Sequence, residues 1–136
     1  MTQLGLVVSR DNKEAGGTAR MAEAAREAAA ARETAIVETL EVPGAYDCPL
    51  AADRLARREE IDAVVVLGAI VTGDTDHDQV IGNAAAQQLS EISVDRDTPV
   101  TLGITGPGQS AAEAKERTAK GAEAVVSAID MVEELA

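Results

Sequence analysis

The amino-acid sequence predicts an α/β protein, a doubly wound three-layer αβα sandwich built on a four-stranded parallel sheet. Strand and helix patterns alternate four times along the chain without low-complexity linkers. The longest apolar run, residues 61–71 (IDAVVVLGAIV), is typical of a strand that is buried on both faces. Tyr46 is the only aromatic residue, so the core has to be built from Val, Ile, Leu and Ala.

Each predicted element has a local signal. The predicted strands are short apolar segments at residues 4–9, 34–40, 61–71 and 99–105. The predicted helices have apolar or alanine residues at helical spacing and span residues 18–32, 47–60, 77–94 and 110–135, the last with a bend at Gly121. Leu50, Leu55 and Ile61 mark the buried side of the second helix. A break at residues 42–45 (VPGA) ends the second strand, because proline lacks a donor and glycine permits unusual dihedral angles. The order of elements is flavodoxin-like.

Length and composition narrow the class of protein. The 136 residues are enough for one domain with a real core and too few for two, so we expect a single domain over residues 1–136. A net charge of −12 argues against a nucleic-acid partner and is typical of a protein adapted to a salt-rich cytoplasm. The alternative interpretation is ordinary solubility from net charge. No segment has the length of a membrane span, and the amino terminus lacks a basic leader. One cysteine fits a reducing compartment, so the expected location is cytoplasmic.

The only histidine, His77, follows the longest apolar run, within residues 73–78 (GDTDHD). In open α/β sheets small ligands bind where the carboxyl ends of strands meet the following helices. A helix that opens near Thr75 or Asp76 would leave main-chain amides free to hold an anion. The segment therefore predicts a titratable base beside an anion cradle. The plainer alternative is a surface histidine in the first turn of a helix.

Aspartates alternate around His77 at Asp74, Asp76 and Asp78. The spacing is similar to a calcium loop, but the glycine and glutamate that such a loop needs are replaced by Gln79 and Ala85, which excludes calcium. A catalytic divalent ion is the less favoured alternative. The aspartates are explained more simply as residues that cap the helix and complement its dipole, with Thr75 and Asp78 close to a capping box.

Three further features have ordinary interpretations. Residues 106–111 (GPGQSA) match a dinucleotide-binding turn, but no later strand supplies the acidic residue that this fold needs, so nucleotide binding is excluded. Cys48 has no second histidine to activate it and is expected to pack structurally. Arg117 and Lys120 are the nearest cations that could offset a bound phosphate, although Arg117 can also form an exposed helical pair with Glu113.

Three segments together resemble the 6,7-dimethyl-8-ribityllumazine synthase family, closest to its archaeal branch. They are residues 42–50 (VPGAYDCPL), 67–77 (LGAIVTGDTDH) and 99–108 (PVTLGITGPG). Either the G-x-T-x-H segment or the V-P-G-A-aromatic-acid segment alone is weak, but the two in this order and spacing are specific. The resemblance extends from Leu4 to about Val132.

The resemblance implies the penultimate step of riboflavin synthesis. The family condenses 5-amino-6-ribitylamino-uracil with 3,4-dihydroxy-2-butanone 4-phosphate, expels phosphate and closes the pteridine ring. It uses no metal and no redox cofactor. The implied partners are these small-molecule substrates and further copies of the chain. Sites in the family lie between subunits of a ring-shaped pentamer, and some members assemble twelve pentamers into a hollow sixty-subunit shell.

Site residues carry over from the family position by position. His77 matches the proton-transferring histidine. The phosphate-binding positions are Gly73, Asp74, Thr75 and, from the neighbouring subunit, Arg117. The positions that contact the uracil substrate and its ribityl chain are Asp11, Ala45, Tyr46, Asp47, Ile70, Val71 and Leu102. Lys120 aligns poorly across a loop of variable length.

Two positions depart from the family pattern. Asp11 stands where many relatives have an aromatic residue that stacks on the heterocycle, and Thr72 stands where an arginine is frequent. Leu102 also occupies a place where the family often has an aromatic residue. The alternatives are the paralogous archaeal riboflavin synthase, a non-catalytic shell that binds flavin or ribityl compounds, and a flavodoxin-like signalling module.

Overall fold

The computed structural model describes residues 1–10, 17–73 and 75–136. Its strands are β1 (Gln3–Ser9), β2 (Ala35–Val42), β3 (Ala63–Ala69) and β4 (Val100–Thr105). Its helices are α1 (Gly17–Ala31), α2 (Cys48–Ala56), α3 (His77–Arg96), α4 (Ala111–Glu116) and α5 (Lys120–Leu135), and a short 3-10 helix (Ala45–Asp47) precedes α2.

The four strands form one parallel sheet in the order β2-β1-β3-β4. The chain runs outward from β1 to β2 and then returns to place β3 on the other side of β1. The strand order therefore reverses between β1 and β3, where a doubly wound sheet opens a crevice at the carboxyl ends of its strands. The predicted doubly wound α/β architecture is confirmed.

Helices cover both faces of the sheet and bury two apolar clusters. One cluster joins α1 and α5 to one face through Leu6, Val65 and Leu67. The other joins α2 and α3 to the opposite face through Val64 and Val66. Successive side chains of a strand point to opposite faces, so the consecutive apolar residues 63–67 of β3 supply both clusters.

Several predicted helices and strands begin or end at the wrong residue. The second helix stops at Ala56 instead of residue 60, and β3 spans Ala63–Ala69 instead of residues 61–71. Val42 still belongs to β2, because its carbonyl oxygen accepts a hydrogen bond of 2.8 Å from the Arg10 amide. The predicted buried position Leu50 is 63% exposed. It lies outside the cluster that α2 buries against the sheet through Ala52 and Leu55.

The long C-terminal helix is interrupted, but not at Gly121. The break falls at residues 117–119, between α4 and α5. Gly121 lies inside α5, where a Cβ would overlap the main-chain carbonyl of Met21. This glycine therefore allows close packing of α5 on α1 and does not bend the helix.

Candidate functional site

A polar cavity of about 480 Å³ lies where β3 and β4 end and α3 begins. Its lining residues come from the loop after β3, the first turn of α3 and the turn after β4, and they are Thr72, Gly73, Thr75, Asp76, Asp78, Gln79 and Gly108. The N-terminus of the 20-residue helix α3 adjoins this space. The partial positive charge at a helix N-terminus favours an anion there.

His77 is the first residue of α3, and its side chain is exposed. Its main-chain amide donates a hydrogen bond of 3.3 Å to the hydroxyl of Thr75. The imidazole is not part of the cavity lining, although Asp76 and Asp78 on either side of it are. His77 therefore lies next to the cavity, and its side chain is exposed to solvent.

The predicted capping arrangement is wrong in detail. Asp76 is the N-cap of α3 and makes no side-chain capping hydrogen bond. The Thr75 hydroxyl accepts from His77 and not from the amide of Asp78, so the capping box does not form. Asp78 is only 8% exposed and lines the cavity. Its carboxylate and that of Asp76 make the cavity locally negative, so a bound phosphate needs a cation from elsewhere.

The turn after β4 holds the loop after β3 in place. The Ile70 amide donates to the Thr105 carbonyl and the Thr72 amide to the Gln109 carbonyl, both at 2.8 Å. Gly106 has a φ of +84°, and a Cβ there would overlap the carbonyl oxygen of Ile70. Only glycine fits this close approach at residue 106, whereas Gly108 has a φ of +87° and no close neighbour, so its requirement for glycine is conformational.

Gln109 is buried at the centre of this arrangement, with 1% of its surface exposed. Its Nε2 donates to the Thr105 hydroxyl at 2.8 Å and to the Ile70 carbonyl at 3.3 Å. Its Oε1 accepts a hydrogen bond of 2.8 Å from Nη1 of Arg117. This residue is not recognisable from the sequence as a part of the site, because a glutamine beside a turn gives no local signal of burial.

Arg117 lies at the end of α4 and is half exposed. The predicted pair with Glu113 is confirmed, with Nη2 at 3.3 Å from the carboxylate. Hydrogen bonds from the main chain and the hydroxyl of Ser110 hold the pKa of the Glu113 carboxyl below its usual value, and Arg117 adds to this effect. Arg117 is not among the residues that line the cavity of its own chain.

The predicted uracil-binding residues lie in other places of the same chain. Tyr46 is 65% exposed and lines an apolar groove with Pro49, Leu50, Ala84, Ala85 and Gln88. Asp47 is exposed, and its carboxylate accepts a hydrogen bond of 3.1 Å from the Gly44 amide. Ala45 and Ile70 are buried, Val71 is partly buried, and Leu102 on β4 is exposed. Asp11 and Asp74 lie outside the described residues.

The only cysteine, Cys48, is expected from the sequence to pack structurally and not to react. Cys48 is fully buried, and burial followed by the charge of Asp47 raises the pKa of its thiol to about 12. A thiol in this state packs structurally, as the sequence predicts.

Within residues 1–10, 17–73 and 75–136, no group of three or more His, Cys, Asp or Glu side chains is arranged to hold a metal ion. In the same ranges no helix has the length and apolarity needed to cross a bilayer.

The fold defines a doubly wound α/β protein with a polar cavity at the carboxyl ends of its strands, where proteins of this class bind small ligands. More specifically, the chain belongs to the 6,7-dimethyl-8-ribityllumazine synthase family, whose family model matches residues 1–136. The resemblance inferred from the three sequence segments is confirmed.

Curated relatives agree with this assignment over almost the full chain. The 6,7-dimethyl-8-ribityllumazine synthase of Halorubrum lacusprofundi is 62% identical over 135 residues, which cover 99% of each chain. That of Halobacterium salinarum is also 62% identical, over 99% of this chain and 100% of its own. That of Methanopyrus kandleri is 44% identical over 98% of this chain and 93% of its own. The two halophile relatives fit the interpretation of the acidic composition as salt adaptation.

Proposed function

We propose that this chain catalyses the condensation of 5-amino-6-ribitylamino-uracil with 3,4-dihydroxy-2-butanone 4-phosphate. The products are 6,7-dimethyl-8-ribityllumazine, phosphate and water, and the reaction is a transferase step of riboflavin biosynthesis in the cytoplasm. The observation that carries the proposal is the position of His77 at the N-terminus of α3, beside the polar cavity, in a chain of this family.

His77 is proposed as the group that moves protons. The amine of the uracil substrate adds to the ketone, and loss of water gives an imine. Elimination of phosphate and closure of the ring by the second amine, with loss of a second water, then require further proton transfers. A neutral imidazole can accept and return these protons, which is worth roughly 10²–10⁴-fold in rate. Alignment of the two substrates supplies much of the remaining acceleration.

The phosphate is proposed to lie against the main chain of Gly73, Asp74 and Thr75, near the N-terminus of α3. The carboxylates of Asp76 and Asp78 oppose its charge, so a cation is needed to offset them, and an arginine can pair with phosphate through two hydrogen bonds. Arg117 lies outside the cavity of its own chain. This position supports the proposal that Arg117 serves the phosphate site of a neighbouring subunit.

The uracil ring and ribityl chain are proposed to contact the seven positions named from the family, namely Asp11, Ala45, Tyr46, Asp47, Ile70, Val71 and Leu102. Within one chain, the described members of this set border different cavities or none. The exposed ring of Tyr46 and the exposed side chain of Leu102 are available to a molecule that bridges two subunits. This distribution supports a site completed between copies of the chain.

The proposed assembly is a homopentamer, which can associate further into a sixty-subunit shell. An apolar groove of about 430 Å³ lies between α2 and α3, with Tyr46 and Leu50 on one wall and Ala84 on the other. Tyr46 and Leu50, which both line this groove, are 65% and 63% exposed in the isolated chain. Apolar side chains that cluster in this way are typical of a surface that a partner covers.

The test is formation of the fluorescent lumazine from both substrates in molar KCl, compared with His77→Ala. We expect a rate well above the spontaneous condensation, and a loss of roughly 10²–10⁴-fold in the variant. Asp95→Asn, at an exposed position near the other end of α3, is the control and keeps the wild-type rate.

A wild-type protein with no rate above the spontaneous condensation would contradict the proposed function. If such a protein still bound a ribityl compound, the non-catalytic binding shell would be the better interpretation. A normal rate in His77→Ala would instead contradict only the assigned role of the histidine.

A further inference from the structure

The Gln109 amide uses its whole polar end in defined contacts. Both Nε2 hydrogens have an acceptor, at the Thr105 hydroxyl and the Ile70 carbonyl. Oε1 accepts a hydrogen bond from Arg117, and the main-chain carbonyl of Gln109 accepts one from the Thr72 amide. One buried side chain thus connects the ends of β3 and β4 with the arginine at the end of α4.

The partners determine which way the amide points. A guanidinium only donates and a main-chain carbonyl only accepts, so Oε1 must face Arg117 and Nε2 must face Ile70. A glutamate at this position could pair with Arg117 but could not, when ionised, donate to the Ile70 carbonyl. A methionine would fill the same space without either contact.

We infer that Gln109 is a positioning residue that holds Arg117 ready for an anion while leaving its positive charge intact. The inference rests on the proposed role of Arg117 in binding substrate phosphate. Gln109 engages Nη1 of the guanidinium, and Glu113 engages Nη2. A guanidinium has five N–H groups, so three are left for a ligand in a fixed plane.

The neutral amide matters because the second partner, Glu113, already offsets part of the arginine's charge. A second carboxylate buried next to Arg117 would compete with the phosphate for the guanidinium. An amide accepts the same hydrogen bond without adding charge. The same amide anchors Ile70, so the substrate-facing loop after β3 and the phosphate-binding arm share one support.

The experiment measures the dissociation constant of inorganic phosphate by calorimetry, together with kcat and KM for each substrate. The variants are Gln109→Met, Arg117→Met and the double variant. We expect Gln109→Met to weaken phosphate binding and raise KM for the phosphate substrate by about tenfold, the effect of one hydrogen bond to a charged group. When Arg117 is already methionine, Gln109→Met should change the phosphate dissociation constant and this KM by less than about twofold.

Gln3→Met is the matched control, because Gln3 is the first residue of β1 and lies at the amino-terminal ends of the strands, opposite the cavity. It should leave phosphate binding and both KM values unchanged. The double variant distinguishes the two explanations. If its loss of phosphate affinity equals the product of the losses in the two single variants, Gln109 does not act through the arginine, and the inference is wrong. Phosphate binding by Gln109→Met at the wild-type level would also overturn it.

Gln109→Glu keeps the volume and the acceptor and serves if Gln109→Met does not fold. We expect its phosphate binding, relative to wild type, to be weak at neutral pH and to recover as acid protonates the introduced carboxyl. A protonated carboxyl has one donor for the Ile70 carbonyl and an acceptor for Arg117, and the Thr105 hydroxyl can donate to it instead of accepting from it. If the ratio of the phosphate dissociation constants of Gln109→Glu and wild type does not change with pH, the inference is overturned.

Failure of the proposed function gives a different result. A wild-type protein that makes no lumazine contradicts the enzyme assignment, while the phosphate measurements still test Gln109. A wild-type protein that makes lumazine, with Gln109→Met indistinguishable from it in every constant, contradicts the inference alone. Absence of phosphate binding in the wild type also overturns the inference.

Discussion

At the scale of single residues, Cys48 shows how burial sets chemistry. The thiol begins α2 and is enclosed by the cluster that contains Val7, Leu55 and Val66. Removal from water disfavours the thiolate, and the negative charge of Asp47 disfavours it further, so the pKa rises to about 12. The protonated thiol is a small apolar group in this core.

We expect Cys48 to be unreactive toward thiol reagents in the folded protein at mildly alkaline pH and to react fully after unfolding. The unfolded thiol has a pKa of about 8.5, so between that pH and about 12 the unfolded state loses a proton that the folded state keeps. The free energy of unfolding should therefore fall as the pH rises through this window.

Denaturant titrations of wild type and Cys48→Ala at several alkaline pH values measure this contribution. The difference in unfolding free energy between the two proteins should change with pH, because alanine does not titrate. Rapid labelling of the native wild-type protein would show that the thiol is accessible and would contradict the argument from burial.

His77 and Gln109 differ in how far the sequence reveals them. His77 is the only histidine, and it follows a long apolar run, so its place at the end of a strand is predictable from local pattern. Gln109 contacts Ile70, which is 39 residues away in the chain. No local pattern encodes that contact, because it depends on β3 and β4 being neighbours in the sheet.

At the scale of elements, α2 and α3 are joined by ion pairs on the surface. Arg96 near the end of α3 forms two hydrogen bonds with the Asp53 carboxylate, at 2.8 and 3.2 Å. Arg57 lies 3.3 Å from the same carboxylate. The hydrogen bond from Arg96 is the main reason that the pKa of Asp53 lies below its ordinary value, and burial partly opposes it.

We expect Asp53→Asn to lower the melting temperature by a few degrees at neutral pH and low salt. The carboxylate favours folding at pH values above its unfolded pKa, and this contribution is lost as the pH falls through the lower folded pKa. The difference between variant and wild type should therefore vanish in acid. It should also shrink in molar KCl, where the exposed parts of the pair are screened.

Glu59→Gln is the control for loss of one negative charge, because Glu59 is exposed just after α2. It removes the same charge without breaking the bidentate contact. Equal melting temperatures for Asp53→Asn and Glu59→Gln at low salt would mean that the contact with Arg96 contributes nothing measurable.

Element boundaries were harder to predict than element types. The sequence predicts a bend at Gly121, but the interruption lies at residues 117–119 and Gly121 packs against Met21. Glycine suggests both a helix break and a close helix contact. Only the approach of α1 to α5 decides between these two uses.

At the scale of the whole molecule, charge is the dominant feature. There are 24 acidic residues against 12 Lys and Arg, and each subunit carries −12. Copies that assemble through apolar faces must overcome this repulsion. Salt shortens its range, from about 30 Å at 0.01 M to about 3 Å at 1 M.

We expect the proposed assembly of copies of this chain to weaken as salt is removed. Light scattering should report a larger particle in molar KCl than in dilute buffer, with dissociation that reverses when KCl is restored. Molar sorbitol is the control for solute effects other than screening, and it should not restore the assembly. A particle of unchanged mass from dilute buffer to molar KCl would contradict this expectation.

The sequence by itself determined the alternation of strands and helices, the doubly wound α/β class, and the family. Each of these follows from patterns within a few residues or from motifs in a fixed order along the chain. The apolar run of β3 and the segment around His77 are such local patterns.

The tertiary structure alone decided which residues meet. Leu50 is exposed although its helical spacing predicts burial, and Gln109 is buried although its neighbours predict a polar turn. Both outcomes depend on how the layers pack and on which strands are neighbours. Burial and hydrogen bonding are properties of contacts between distant segments, so they are settled only when β3, β4 and α4 come together.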